Sequence, residues 1–316
     1  MRDRVTEIPK LYKIGDIMAT AIQVQSVIYH NDKESLLRAY QSLANAVRVS
    51  AKRGQEIKLV VHYGDASKAP VYSEEEILTL QAEFGSYFTF RYTFFNENTG
   101  TSKGHNRVGL GCNADYIVVM NPDVIVCPRF FEKMMLPFLD SDKNAGITEA
   151  RQVPLEHPKE YDCETLETEW ATGACFMIPA SLYQKIGGFD EKTFFMYCDD
   201  VDISWRVRLE EKKIYYRPDC PVYHAKRLSA TANWVPTEAE LYYSKEAALL
   251  MTYKWSDEKS FRKIYKAFSH GDKYCQRVIA RFEEMKEKGE LPIQPDPSGK
   301  IARFLDDNYT EHRFVL

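Results

Sequence analysis

Apolar positions in the first third of the chain alternate between two periods. Residues 21–28 (AIQVQSVI) carry the short-period, β-branched pattern of a strand. Asn31 and Asp32 then offer a cap for a helix whose Leu36, Leu37, Tyr40, Leu43, Ala44 and Val47 share one face. A second strand is predicted over 57–62, ending at the loop Tyr63-Gly64-Asp65-Ala66-Ser67. Ser73 and Glu76 have the spacing of a capping box for the next helix. Residues 88–94 alternate as a third strand, a short glycine-spaced helix follows Asn98, and 116–120 form a fourth strand that stops at Asn121-Pro122-Asp123. Strands alternating with helices predict an α/β fold, a mostly parallel central sheet flanked by helices and joined by right-handed crossovers.

Past residue 128 the alternation loosens. A helix is predicted over 128–139 and a short strand over 145–149; 151–168 is polar and irregular, as expected of a surface insertion. Residues 170–178 are apolar and rich in small side chains, and Gly187-Gly188 marks a turn. From Asp200 the pattern is helical, with Val201, Trp205 and Leu209 on one face, and 214–217 and 221–224 form two short extended pieces. Thr237 and Glu240 form a second capping box, opening a helix through 253. Two more helices are predicted over 257–269 and 272–288, the last stopped by Gly289, before an extended tail. The expected organisation is an N-terminal extension (1–19), an α/β domain (20–235), and a C-terminal helical region with an extended tail (236–316).

Composition narrows the class. At 316 residues with 44% hydrophobic and 28% charged positions, the chain is an ordinary globular protein with ample core. Its 42 basic against 46 acidic residues give a net charge of −4, which argues against a nucleic-acid partner. No apolar run approaches the ~20 residues of a spanning helix. The first residues lack the apolar core of a secretory signal. Seven cysteines, an odd number without Cys-x-x-Cys or zinc-like Cys/His spacing, suggest reduced thiols in a cytoplasmic protein.

The candidate chemistry lies after the strands, where ligands of open α/β sheets bind. Asp65, Asp123, the cluster Asp199-Asp200-x-Asp202, and His224 all follow strand-like segments. Each alone has a plain structural explanation: a loop-shaping aspartate, an Asn-Pro-Asp turn, a helix cap, a structural histidine. Their joint order along an alternating chain is the informative feature.

That order resembles the family-2 glycosyltransferases of the GT-A fold, inverting sugar transferases, over about residues 20–230. Tyr29-His30-Asn31 is similar to the end of the family's opening strand, and Gly64-Asp65-Ala66-Ser67 to its aspartate-rich loop beside the nucleobase. Asn98-x-Gly100-x-x-x-Gly104-x-Asn106-x-x-Gly109 resembles its glycine and asparagine pattern, with the final glycine one place late. Asn121-Pro122-Asp123 stands for the metal-binding Asp-x-Asp with its first aspartate replaced, a variant similar to rhamnosyltransferases and some galactofuranosyltransferases. Trp170-x-Thr172-Gly173-Ala174, the segment 187–191 and Asp199-Asp200-Val201-Asp202 resemble the acceptor side and the Glu-Asp-x-Asp block, with aspartate at 199.

The resemblance implies a nucleotide-binding set of Tyr29, Asn31, Asp65, Ser67, Asn98, Gly100, Gly104, Asn106 and Asn121. It implies a sugar and acceptor set of Trp170, Thr172, Gly173 and Ala174, and Asp123 with His224 as ligands of manganese or magnesium. Asp200 is the implied general base, supported by Asp199, Asp202 and Arg206. A hard divalent cation suits a diphosphate leaving group, and a base on the opposite face contributes roughly 10²–10⁴-fold. Crowding by Asp199 and Asp202 would raise the Asp200 pKa, while the helix N-terminus would lower it. Asp202 and Arg206, spaced i, i+4, are expected to pair on the helix surface. Asp65 could accept from N3–H of uracil or thymine, favouring a UDP- or dTDP-sugar. The Asn-Pro-Asp variant favours dTDP-rhamnose, with UDP-galactofuranose and UDP-hexoses as alternatives.

The acceptor would be a glycan or a lipid-linked oligosaccharide, which would bring the protein to the inner face of the membrane. The C-terminal helices are expected to serve packing or a homo-oligomer contact, with acceptor or membrane binding as the alternative. Two other classes compete: an inert nucleotide-sugar or glycan-binding protein, and a nucleotide-dependent oxidoreductase. The first strand–turn–helix has no Gly-x-Gly-x-x-Gly, which argues against the latter.

Overall fold

The computed structural model describes residues 19–156, 160–225, 236–305 and 308–309. All but the last residue of the expected N-terminal extension lies outside them, as do 226–235, just before the expected boundary at 236, and the end of the tail.

The first half follows the sequence pattern closely. Strand β1 (Thr20–Ile28) leads to α1 (Lys33–Lys52), capped by the Asp32 carboxylate, which accepts from the Ser35 amide at 2.9 Å. Then come β2 (Ile57–Asp65), α2 (Glu74–Phe84) with its Ser73/Glu76 capping box formed, β3 (Phe88–Phe94), α3 (Gly100–Gly109) and β4 (Tyr116–Met120). Strand β2 runs three residues beyond expectation because it is paired on both sides to its end, Ile28 and Phe94 both lying opposite Asp65. Gly64 is there a strand residue: Phe95 packs on its backbone where a Cβ would fall.

The second half departs further. After β5 (Ile125–Val126) and α4 (Phe130–Leu139), β6 (Ala145–Val153) extends three residues into the supposed insertion, of which β7 (Glu167–Thr168) is also part. Strand β8 (Cys175–Pro179), α5 (Ala180–Lys185) and α6 (Asp199–Leu209) follow, and the two predicted extended pieces are one strand, β9 (Lys213–Tyr223). A register shift against β6, from Ala150–Arg217 to Arg151–Pro221, keeps β9 continuous through Pro218. Helices α7 (Glu238–Lys254), α8 (Glu258–Ser269) and α9 (Lys273–Lys288) complete the described elements, with the Thr237/Glu240 box formed and Gly289 left-handed at the end.

The strands form one sheet in the order β3-β2-β1-β4-β8-β6-β9-β5, with β7 also on β9. Among the described strands β1, β2, β3, β4, β6 and β9 share one direction, while β5, β7 and β8 run against it. The sheet is covered on both faces. Val118 and Met120 of β4 join a core with α1 and α4, and Ile117 and Val119 join another with α5 and α6. A third core unites α6 with the C-terminal helices through Trp205, Trp255, Leu250, Val278 and Phe282.

Helix α3 is fastened by two close approaches. A Cβ at Gly104 would lie 2.6 Å from Val27, so the glycine lets α3 lie against β1. Two residues on, the buried Asn106 side chain donates to the Phe189 carbonyl and Glu191 carboxylate, both at 2.8 Å. It accepts from the Tyr183 hydroxyl at 2.9 Å and the Phe189 amide at 2.8 Å. Asn106→Ala should cost about 2–4 kcal/mol, since it strands buried partners; denaturant unfolding measures this. Unchanged stability with weakened donor binding would instead favour the direct nucleotide role implied by resemblance.

Candidate active site

Strand direction decides what meets at one edge of the sheet. The carboxyl ends of β1, β2, β4 and β9 carry Tyr29, Asp65, Asn121–Pro122–Asp123 and His224. The reversed β8 contributes its amino end to the same edge: Met120 pairs with Cys175, and the Asn121 amide donates to the Ala174 carbonyl at 2.9 Å. Reversed β5 lays Ile125 opposite Tyr223, which brings Asp123 beside His224. A cavity of about 480 Å³ opens there, lined among others by Asn31, Asn121, Asp123, Thr172, Gly173, Ala174, Asp199, Asp200 and His224.

On one wall, His224 Nε2 lies 3.8 Å from Asp123 Oδ1 and accepts from the Asn121 side-chain Nδ2 at 3.1 Å. Its Nδ1 then carries the proton and donates to Gln152 Oε1 at 3.2 Å. A histidine held in this tautomer with its Nε2 lone pair beside a carboxylate has the form of a divalent-cation ligand pair. Among the described residues no cluster of three or more His, Cys, Asp or Glu side chains gathers to hold a metal. The residues thus fit a cation whose remaining ligands come from substrate or water.

The other carboxylates stand at the start of α6. Tyr197 and Cys198, both left-handed with φ of 68° and 55°, turn the chain sharply into the helix. Asp200 Oδ2 accepts from the Gly173 amide and Oδ1 from the Val201 amide, at 2.8 and 2.9 Å. Asp199 Oδ2 accepts from the hydroxyls of Thr101, at 2.7 Å, and Ser102, at 3.1 Å. Burial, with Asp200 alongside, raises the Asp199 carboxyl to about 7 against the pull of those hydroxyls. Crowding with Asp200 is thus felt at Asp199, second to burial.

Asp202 does not share in that crowding. It is fully buried, paired with Arg206 at 2.8 Å and Lys254 at 2.6 Å, so the expected surface pair is an internal one. Trp170 is also buried, edge-on to Tyr309 at 5.2 Å, and is not among the cavity's lining residues. Nor are Tyr29, Asp65, Ser67, Asn98, Gly100, Gly104 and Asn106. Asp65 holds its own loop, accepting from the Ser67 and Val71 amides at 2.8 Å and from the Tyr92 hydroxyl. Ser67 accepts from the His30 amide, Asn98 from the Gly100 amide, and left-handed Gly100 sits against the Phe195 carbonyl.

Sequence reasoning passed over Thr101, Ser102, Glu149, Gln152 and His105. The Glu149 carboxylate accepts from the Thr172 amide at 3.1 Å, holding the loop that faces Asp200. His105 lines the cavity, and burial pushes its pKa down to about 3, so it is neutral at ordinary pH. Only the periodicity of α3 could have flagged Thr101 and Ser102; Glu149 and Gln152 alternate with apolar positions in β6 like any half-buried strand.

No protein-family model matches the chain. It is 22% identical over 196 residues to the rhamnosyltransferase WbbL of Escherichia coli K12, covering 53% of this chain and 68% of that protein. Over 84 residues it is 37% identical to the N-acetylglucosaminyl-diphospho-decaprenol L-rhamnosyltransferase of Mycobacterium tuberculosis, covering 27% of this chain and 25% of that one. A crystal structure of GalNAc-T7 with UDP, GalNAc and Mn2+ matches with a TM-score of 0.59 at 14% identity, over 90% of this chain and 57% of that one; this likeness carries the fold. Fold and sequence similarity together make this chain a glycosyltransferase of the GT-A fold, similar in sequence to rhamnosyltransferases.

Proposed function

We propose that the chain is a metal-dependent inverting glycosyltransferase that moves a sugar from a dTDP- or UDP-linked donor, best matched by dTDP-rhamnose, to a glycan or lipid-linked acceptor. The observation that carries this reading is one cavity lined by both the Asp123/His224 pair and the Asp200 carboxylate. When bound to that pair and to diphosphate oxygens, a divalent cation supplies charge neutralisation to the departing nucleoside diphosphate.

Asp200 is the base of this reading. Its Oδ2 is oriented by the Gly173 amide, and its carboxylate would take the proton of an acceptor hydroxyl as that oxygen attacks the anomeric carbon. Asp199, anchored to α3 by Thr101 and Ser102, fixes the first turn of α6 against the donor side. The preference for rhamnose rests on the Asn-Pro-Asp turn and on the names of the two sequence relatives. A lipid-linked acceptor requires contact with a membrane surface; among the described residues no helix is long and apolar enough to cross one.

Binding and slow hydrolysis of dTDP-rhamnose, UDP-galactofuranose, UDP-glucose, UDP-galactose and GDP-mannose, with manganese, test the proposal. One donor should bind in a metal-dependent way, and Asp123→Ala should weaken it. Metal-dependent binding of none would overturn the reading in favour of an inert binder. Asp200→Asn should keep donor affinity and lose roughly 10²–10⁴-fold in turnover; an unchanged rate removes Asp200 as the base.

The raised Asp199 pKa has a pH signature. The folded protein holds on Asp199 a proton that the unfolded chain releases near 3.8, so its contribution to stability is full below 3.8 and is lost as pH rises through about 7. Asp199→Asn should flatten that decline in denaturant titrations between pH 4 and 7. It should also move the acid limb of kcat, which reports the pair rather than either residue.

A further inference from the structure

The charges beneath α6 tie the C-terminal helices to the proposed catalytic carboxylates. Lys254, the last residue of α7, is 4% exposed, and its Nζ lies 2.6 Å from both Asp202 Oδ1 and Asp190 Oδ2. Next to it, Trp255 Nε1 donates to the same Asp202 oxygen at 3.0 Å. Arg206 takes the other oxygen at 2.8 Å and spends its two remaining nitrogens on the Ile186 and Gly188 carbonyls, at 2.9 and 2.7 Å. Two carboxylates and two cations balance, so the buried network is neutral as a unit.

Helix α6 needs such an anchor. It has 11 residues, its N-cap position Cys198 makes no side-chain cap bond, and two left-handed residues precede it. Helices of this length have little stability of their own in water. Its apolar side chains Val201 and Trp205 share a core with Tyr242, Leu250, Trp255 and Phe282 of the C-terminal region. We infer that Lys254 and Trp255 are positioning residues, through which the C-terminal helices hold the first turn of α6, and with it Asp199 and Asp200, in register with Gly173 and α3. This gives the C-terminal helices a task beyond packing, and its catalytic part rests on the proposed reaction.

Removal of Lys254 leaves one buried negative charge unbalanced, the most disruptive way to break such a network. A displacement of ~1 Å at a reacting group can cost ~10²-fold in rate. Hydrogen–deuterium exchange on the full chain, without substrate, reads the positioning directly. Lys254→Met should speed exchange across residues 199–204 at least ~10-fold relative to the β1–β4 amides, and Lys254→Arg should restore most of the protection. In transfer assays Lys254→Met should lower kcat ~10–100-fold with donor KM nearly unchanged.

Trp255→Phe removes only the indole donor. It should show the same pattern a few-fold in size, and it supplies the test if Lys254→Met does not fold. Wild-type protection of 199–204 in the variants overturns the inference, as does a uniform rise in exchange across the sheet with kcat intact. Because exchange needs no turnover, a wild-type chain that transfers no sugar would count against the proposed reaction and leave the exchange result to decide the positioning role.

Discussion

Strand β8 enters the sheet antiparallel to β4, and that pairing brings the site together. In an all-parallel sheet the neighbour of β4 would present its own carboxyl end beside Asn121. Reversal presents the amino end of β8 instead, and with it the backbone of Thr172, Gly173 and Ala174. The Gly173 amide then reaches back to Asp200, so α6 is drawn to the same edge as the Asn-Pro-Asp turn. Reversal of β5 against β9 repeats the device on a smaller scale, setting Asp123 next to His224 across about a hundred residues of sequence. The candidate site therefore lies beyond the carboxyl ends of the strands, where ligands of open α/β sheets bind, with reversed strands filling in from the other direction.

Three aspartates within four residues are kept in three different electrostatic states by what each one touches. Asp202 is surrounded by Arg206, Lys254 and the Trp255 indole, and its charge is fully compensated. Asp200 accepts from the Gly173 and Val201 backbone amides, dipoles that orient its carboxylate. Asp199 is buried beside the negative Asp200, and burial first, then that charge, raises its pKa against the pull of the Thr101 and Ser102 hydroxyls. In the proposed reaction, separating adjacent carboxyls in this way would let one short helix carry a structural charge and a proton acceptor side by side.

Local chemistry was readable from the sequence wherever the signal was local. Both capping boxes, the Asp32 cap, the α1 face and the four leading strands come from spacing and residue type alone. Boundaries that depend on a partner were not. The end of β2 is extended by ladders on both sides, and β9 spans Pro218 because β6 accommodates a register shift. Burial was the other blind spot. An i, i+4 Asp–Arg pair has the same spacing on a surface as in a core, and only Lys254, fifty residues downstream, shows that Asp202 and Arg206 are inside. Asn106 and Asp65, polar residues in glycine-rich turns, look like ligand contacts in sequence and are engaged in the structure by Phe189, Tyr183, Ser67 and Tyr92.

The Asn-Pro-Asp turn can be understood through the same balance of charge. With aspartate at 121, the wall would hold two carboxylates facing a diphosphate, three anionic groups around one divalent cation. Asparagine removes one of those charges and adds a donor, which meets the Nε2 lone pair of His224 at 3.1 Å. That lone pair can serve the amide or a cation, not both. Were His224 to hold a cation, Asn121 would have to give up that bond, and as a neutral residue it would add no charge to the wall. Gln152 keeps the imidazole tautomer throughout, since its bond is to Nδ1 on the far side of the ring. A site built this way would depend more on the substrate diphosphate for its negative ligands than an Asp-x-Asp site would, so in the proposed reaction bound donor should raise the affinity for metal and bound metal the affinity for donor.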